Sequence, residues 1–119
     1  MKDVIIIIRP NKYYETKKAL TENRFFSMST KKVLGKGKNG VLFEPQYPDS
    51  QADEYIHNDI LVAKRIIDII VKDEDVDRLI KIVLKINSNG ISGDGKIFVL
   101  PVEQCIRIHT GEKGEDAII

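Results

Sequence analysis

Lysine and glycine are concentrated in two short runs, GKGKNG at 35–40 and GISGDGK at 90–96. Main-chain amides at close range, together with fixed positive charge, are what a polyphosphate requires. Two further pairs could add contacts. Lys64 and Asp68 share one face of a strand pattern, and so do Arg107 and His109, because side chains on a strand repeat every second residue. Such pairs suit ligand contact better than catalysis, and no nucleophile–base–orienter set or matched pair of carboxylates is visible. Neither run is a Walker loop, since G-x-x-x-x-G-K-[ST] does not occur. The second run follows a helix pattern and enters a strand pattern, the reverse of the dinucleotide fingerprint. By spacing alone, a glycine-rich run is more often a turn than a phosphate cradle. The bland alternatives for the other residues are a surface ion pair of little weight for Lys64 and Asp68, a surface strand residue for His109 and a small buried hydrophobe for Cys105.

The whole chain limits what such residues can serve. Its 119 residues fit one domain able to bury a core without disulfides or metals. Basic and acidic side chains number 19 and 18, a net charge of +1, so no bulk field draws it to nucleic acid or membrane. Aromatic residues are few, tryptophan is absent and no basic stripe alternates with stacking residues, which argues against RNA binding. Cys105 is the only cysteine, and His57 and His109 lie far apart, so no metal-ligand pattern is visible. The initial VIIII is too short and too closely flanked by charge for a signal peptide or a membrane span. A cytoplasmic location is expected.

The elements that must position these residues are legible from periodicity. VIIII at 4–8, ended by Pro10, predicts a buried central strand. A helix follows to about Asn23, with Asn11 as its expected cap and a thin apolar stripe of Tyr13, Thr16 and Leu20. Strands are expected over 25–34 and 60–71, separated by a segment from Gly35 to about Asn58 with no readable period. Val76, Leu79, Ile80 and Val83 mark an amphipathic helix, with Asp73 as expected cap. A strand over KIFVLPV and a short additional one over QCIRIH complete the order. The result is an α+β, split βαβ (ferredoxin-like) βαββαβ pattern with a C-terminal extra strand. Its sheet carries helices on one face only, and assembly of several copies is the simple way to cover the other.

GDGKIFVLPVEQCIRIHTGEKGEDAI resembles the C-terminal signature of the PII nitrogen-regulatory signal proteins. The similarity extends to MKDVIIIIRPNK at the start, GKGKNG after the second strand and VKDEDVDRLI at the second helix, and leaves only 41–60 unaligned. It implies a single domain over 1–119, forming a trimer with ATP or ADP in the clefts between subunits. In the family's terms the T-loop is about 38–58, the B-loop about 87–95 and the C-terminal tail about 110–119. The nucleotide positions it implies are Ser29, Gly35, Gly37, Lys38, Asp68, Ile70, Gly93, Asp94, Gly95, Lys96, Arg107 and His109. Several depart from the family: Ser29 replaces a threonine, Lys38 an arginine, Asp68 a glutamate and His109 the second phosphate arginine. Asn39 stands where a glutamine helps bind magnesium and orient 2-oxoglutarate, and Lys64 matches the lysine that pairs with the 2-oxoglutarate carboxylate.

The loop centre, VLFEPQYPDSQADEYIHND, lacks the family's YRG-EY segment. Tyr47 and Tyr55 therefore miss the position uridylylated in enterobacterial relatives, and covalent modification is not expected. With the KGKNG base, this loop looks like the second of two paired variants in the nitrogen-fixation branch. That resemblance implies a non-enzymatic regulator that pairs with its sister variant and binds the dinitrogenase component of nitrogenase. ATP plus 2-oxoglutarate would release it. The alternative is an ordinary PII protein that controls an ammonium transporter or glutamine synthetase.

Overall fold

The computed structural model describes residues 1–36 and 61–119. Four strands form one antiparallel sheet: β1 (Lys2–Ile8), β2 (Met28–Gly35), β3 (Val62–Val71) and β4 (Gly95–Pro101), in the order β2-β3-β1-β4. Among the described residues two α-helices join them, α1 (Tyr13–Glu22) and α2 (Val76–Asn87). This is the expected ferredoxin-like βαββαβ fold, and the T-loop lies outside the described residues.

One face of the sheet makes the core. Val4, Ile6 and Ile8 on β1, with Ile67, Ile69 and Val71 on β3, are buried at alternate positions. Leu20 from α1, together with Leu79 and Val83 from α2, closes the layer above them. Between the helices, buried Asn87 donates from Nδ2 to Thr16 Oγ1 at 3.0 Å and to the Val83 carbonyl at 2.9 Å. Thr16 in turn donates to the Lys12 carbonyl, so the donors of this buried contact are satisfied while Asn87 Oδ1 has no partner among the described residues. The other face carries Ile5, Ile7, Ile66, Ile70, Phe98 and Leu100, with Asp3 and Asp68 among them. Phe98 and Leu100 remain 46% and 42% exposed. An apolar surface of this kind on an uncovered sheet face is the type that proteins use for association.

The helix ends differ from expectation. Neither Asn11 nor Asp73 caps its helix; both lie in 3-10 turns, Pro10–Lys12 and Asp73–Asp75, which lead into α1 and α2. Pro10 takes the first turn position, where its missing N–H costs nothing. Asp73 instead meets the Met1 ammonium at 2.9 Å, which holds its carboxyl below the usual range. At the far end of α1, the amides of Arg24 and Phe25 bond back to the carbonyls of Thr21 and Leu20. Arg24 takes the left-handed position of that cap at φ 68°, where glycine is usual. The turn delays β2, which starts at Met28 rather than 25. The strand expected over QCIRIH is reduced to a single antiparallel bridge between Ile106 and Lys113, around a turn at 108–110.

Candidate functional site

The site begins where β1 ends and β4 starts. In register, Ile8 lies opposite Gly95 and Ile7 opposite Lys96, so the loop before β4 arrives beside Arg9. At Gly95 the backbone sits so close to β1 that a Cβ would lie 1.9 Å from the Ile7 carbonyl oxygen. Its φ of +124° also excludes ordinary side chains. Gly93 is next to the cations: a Cβ there would lie 3.1 Å from Arg9 Nη2. The glycines at 93 and 95 therefore serve close approach, beyond what a turn alone would demand.

Three side chains hold this loop. Lys64, on the third strand, donates from Nζ to the Gly93 carbonyl at 2.6 Å. Arg9 donates from Nη2 to the Ser92 carbonyl at 2.9 Å, and its Nε is 3.6 Å from Asp94 Oδ1. Asp94 Oδ2 accepts from the Asn89 amide at 2.7 Å and, more weakly, from that of Ile91. These amides, with Arg9 beside them, keep the Asp94 carboxyl below its ordinary range. Burial, then the neighbouring Arg9 charge, pushes the Lys64 ammonium down. The local result is a loop bent around its own aspartate, flanked by two cations, with Lys96 exposed at its end. Arg9 was not evident from sequence spacing. Only the β1–β4 register brings it to a loop 83 residues away; a basic residue closing a strand before Pro10 is the one sequence signal for it.

The remaining positions fall into separate groups. Gly35 ends β2 beside Lys64, whose Cγ lies 4.0 Å from where a glycine Cβ would be. Ser29 pairs in register with Asp68 on the open face, where Ile70 is half-buried. Asp68 does not pair with Lys64, from which four strand residues separate it by ~13 Å. It lies near Asp3, whose carboxyl is raised to about 6 by hydrogen bonding to Asp68, then by burial and the Asp68 charge. Arg107 and His109 do not share a strand face. Arg107 Nη1 pairs with Glu112, and Nη2 donates to the carbonyls of Asp116, at 2.7 Å, and Ile119. His109 is exposed in the turn. Gly37, Lys38 and Asn39 lie outside the described residues. The chain thus gathers Gly35, Lys64 and 93–96, while Ser29, Asp68 and Ile70 form a second group and Arg107 and His109 a third.

Among the described residues no cluster of three or more metal-binding side chains occurs, and no helix is long and apolar enough to cross a membrane. Chemically, the loop brings main-chain polar groups and cations together, and nothing in it is arranged as a nucleophile with its base.

A sequence profile described as "Nitrogen regulatory protein P-II" matches residues 1–112. The chain is 40% identical over 124 residues to "Nitrogen fixation nifHD region GlnB-like protein 2" of Methanobacterium ivanovii, covering 100% of each. It is 43% identical over 122 residues to "Nitrogen fixation nifHD1 region GlnB-like protein 2" of Methanosarcina barkeri, covering 99% of each. Among solved structures, Arabidopsis thaliana PII bound to citrate superposes with a TM-score of 0.73 at 30% identity, covering 98% of this chain and 88% of that one.

Proposed function

Given that the chain belongs to the nitrogen regulatory protein P-II family, we propose that it senses ATP or ADP and 2-oxoglutarate and controls nitrogenase by direct contact. It is a regulator, not an enzyme, and its place is the cytoplasm. The observation that carries this reading is the 89–96 loop, closed against β1 at Gly95 and held by Lys64 and Arg9. A loop of this form can present amides to phosphates while Lys96 supplies charge. What supports nitrogenase as the target is the naming of relatives for nitrogen fixation and the nifHD region, matched over 99–100% of their length.

In this reading the apolar open face closes into a trimer, or into a mixed assembly with a sister variant. Ser29, Asp68 and Ile70 then meet nucleotide in the cleft, and Arg107 and His109 approach from a neighbouring subunit. That division explains why one chain leaves the three groups apart. Lys64 and Asn39 take 2-oxoglutarate and magnesium, and Gly37 and Lys38 form the base of the contact loop. Ligand there selects among loop conformations, and the loop tip meets the dinitrogenase component.

Calorimetry with MgATP tests the nucleotide site: Lys96→Ala and Arg107→Ala each weaken binding at least tenfold, and unchanged titrations would sink the assignment. Pull-down from nitrogen-fixing extract tests the target. Recovery of the dinitrogenase component, released by MgATP plus 2-oxoglutarate, is the expected outcome. Recovery of an ammonium transporter or glutamine synthetase instead would replace nitrogenase as the target.

A further inference from the structure

The tail folds back on the one arginine of the third group. A turn brings the Arg107 amide to the Glu112 carbonyl at 2.9 Å and the Gly111 amide to the Arg107 carbonyl at 2.7 Å. Gly114 adds a bond from its amide to the Cys105 carbonyl. This local hairpin places the Glu112 carboxylate against the Arg107 guanidinium, whose other arm reaches the carbonyls of Asp116 and Ile119. The guanidinium fork is thus filled by acceptors from within its own tail. Both partners stay open to solvent, Arg107 at 31% and Glu112 at 48%.

Resting on the nucleotide reading above, we infer that Glu112 is an internal competitor for the phosphate subsite of Arg107. A carboxylate and a phosphate present similar paired oxygens to a guanidinium, so only one can hold its fork at a time. An exposed ion pair contributes little net stability and is exchanged easily. Phosphate therefore displaces Glu112, and with it the contacts that hold Asp116 and Ile119. The tail becomes free when nucleotide is bound and is folded back when the site is empty. Affinity is set partly by the residue that must leave, not only by those that receive the ligand.

The test is calorimetry of the full chain with MgATP and, separately, with adenosine, which has no phosphates. Glu112→Gln tightens ATP about threefold, the range set by losing an exposed ion pair, and leaves adenosine unchanged. In an Arg107→Ala background the same substitution has no effect. Thermal melting confirms that each variant is folded. If Arg107→Ala weakens ATP while Glu112→Gln leaves it unchanged or weaker, the competitor role is overturned and the nucleotide reading stands. If ATP binds wild type and Arg107→Ala equally, Arg107 is not a phosphate ligand and the competition falls with it. If ATP binds none of the proteins, the nucleotide reading itself falls.

Discussion

Arg9 and Arg107 use their guanidinium groups in the same way, donating to main-chain carbonyls while facing a carboxylate. They differ in what holds the partner. The acceptor of Arg9 is Ser92, 83 residues away, delivered by the pairing of β1 with β4. The carboxylate it faces, on Asp94, is itself bound by the amides of its loop. The acceptors of Arg107 lie five to twelve residues away on its own exposed tail. Breaking the first contact means disturbing a loop that the sheet holds, whereas breaking the second disturbs only the segment that follows Arg107. The same chemistry therefore makes a frame in one place and a movable part in the other.

The most severe way to break this contrast is Gly95→Ala. Its methyl would collide with the Ile7 carbonyl, and the expected loss is about 3 kcal/mol or more, a fall in melting temperature on the order of 10 °C. A melt unchanged within a few degrees would show that the frame is softer than described. Next comes Arg9→Gln, which keeps the fold but loosens the loop. Amide exchange at 89–94 rises and ATP affinity falls about tenfold, by loss of the charge and of the positioned carbonyl. Protection equal to wild type would put Arg9 among the bystanders.

Asp3 offers a sharper, pH-resolved comparison. Its carboxyl is raised to about 6, first by the hydrogen bond to Asp68, then by burial and the Asp68 charge. A raised carboxyl favours the folded state while protonated, so this contribution is complete below the ordinary value of 3.8 and is lost as pH rises through about 6. Asp3→Asn keeps the neutral partner at every pH. It matches wild type near pH 3.5 and is more stable above pH 7 by about 1 kcal/mol, a figure reduced for solvent screening. Denaturant melts at the two pH values measure the difference, and a gap of equal size at both ends would overturn the raised Asp3 carboxyl. The smallest effect is expected at the movable arginine's neighbour. His109→Arg adds fixed charge in the exposed turn and tightens ATP about twofold by calorimetry; a weaker complex would place residue 109 away from phosphate.

Strong repeating patterns were readable directly. The unbroken VIIII could only be an interior strand, and the spacing of Val76, Leu79 and Val83 defined the face that α2 buries. For Gly93 and Gly95 spacing alone favoured a turn, and only the family resemblance marked them as site residues; the close approach itself appears in the packing against Ile7 and Arg9. Features that depend on two distant segments were not readable. The role of Arg9 requires the β1–β4 register, and the meeting of Asp3 with Asp68 requires that of β1 with β3. The caps failed for a related reason: the Met1 ammonium claimed Asp73, and Pro10 began α1 through a tighter turn that left Asn11 idle. QCIRIH has the alternation of a strand, but Gly111, at φ +73°, turns the chain back after four residues, and pairing stops at one bridge.

Gly95 also limits how this protein can diverge. Every other residue type brings a Cβ into the Ile7 carbonyl, so inheritance can retain that position or lose the strand's start, with little between. Lineages remain free to vary the charge of Lys96, the reach of Arg9 and the acid at Glu112, all of which are side-chain properties. The path of the loop is closed to drift, and the strength and timing of its response are open. Descendants of this chain should therefore share a loop trace, with their differences written in side chains such as those at 9, 96 and 112.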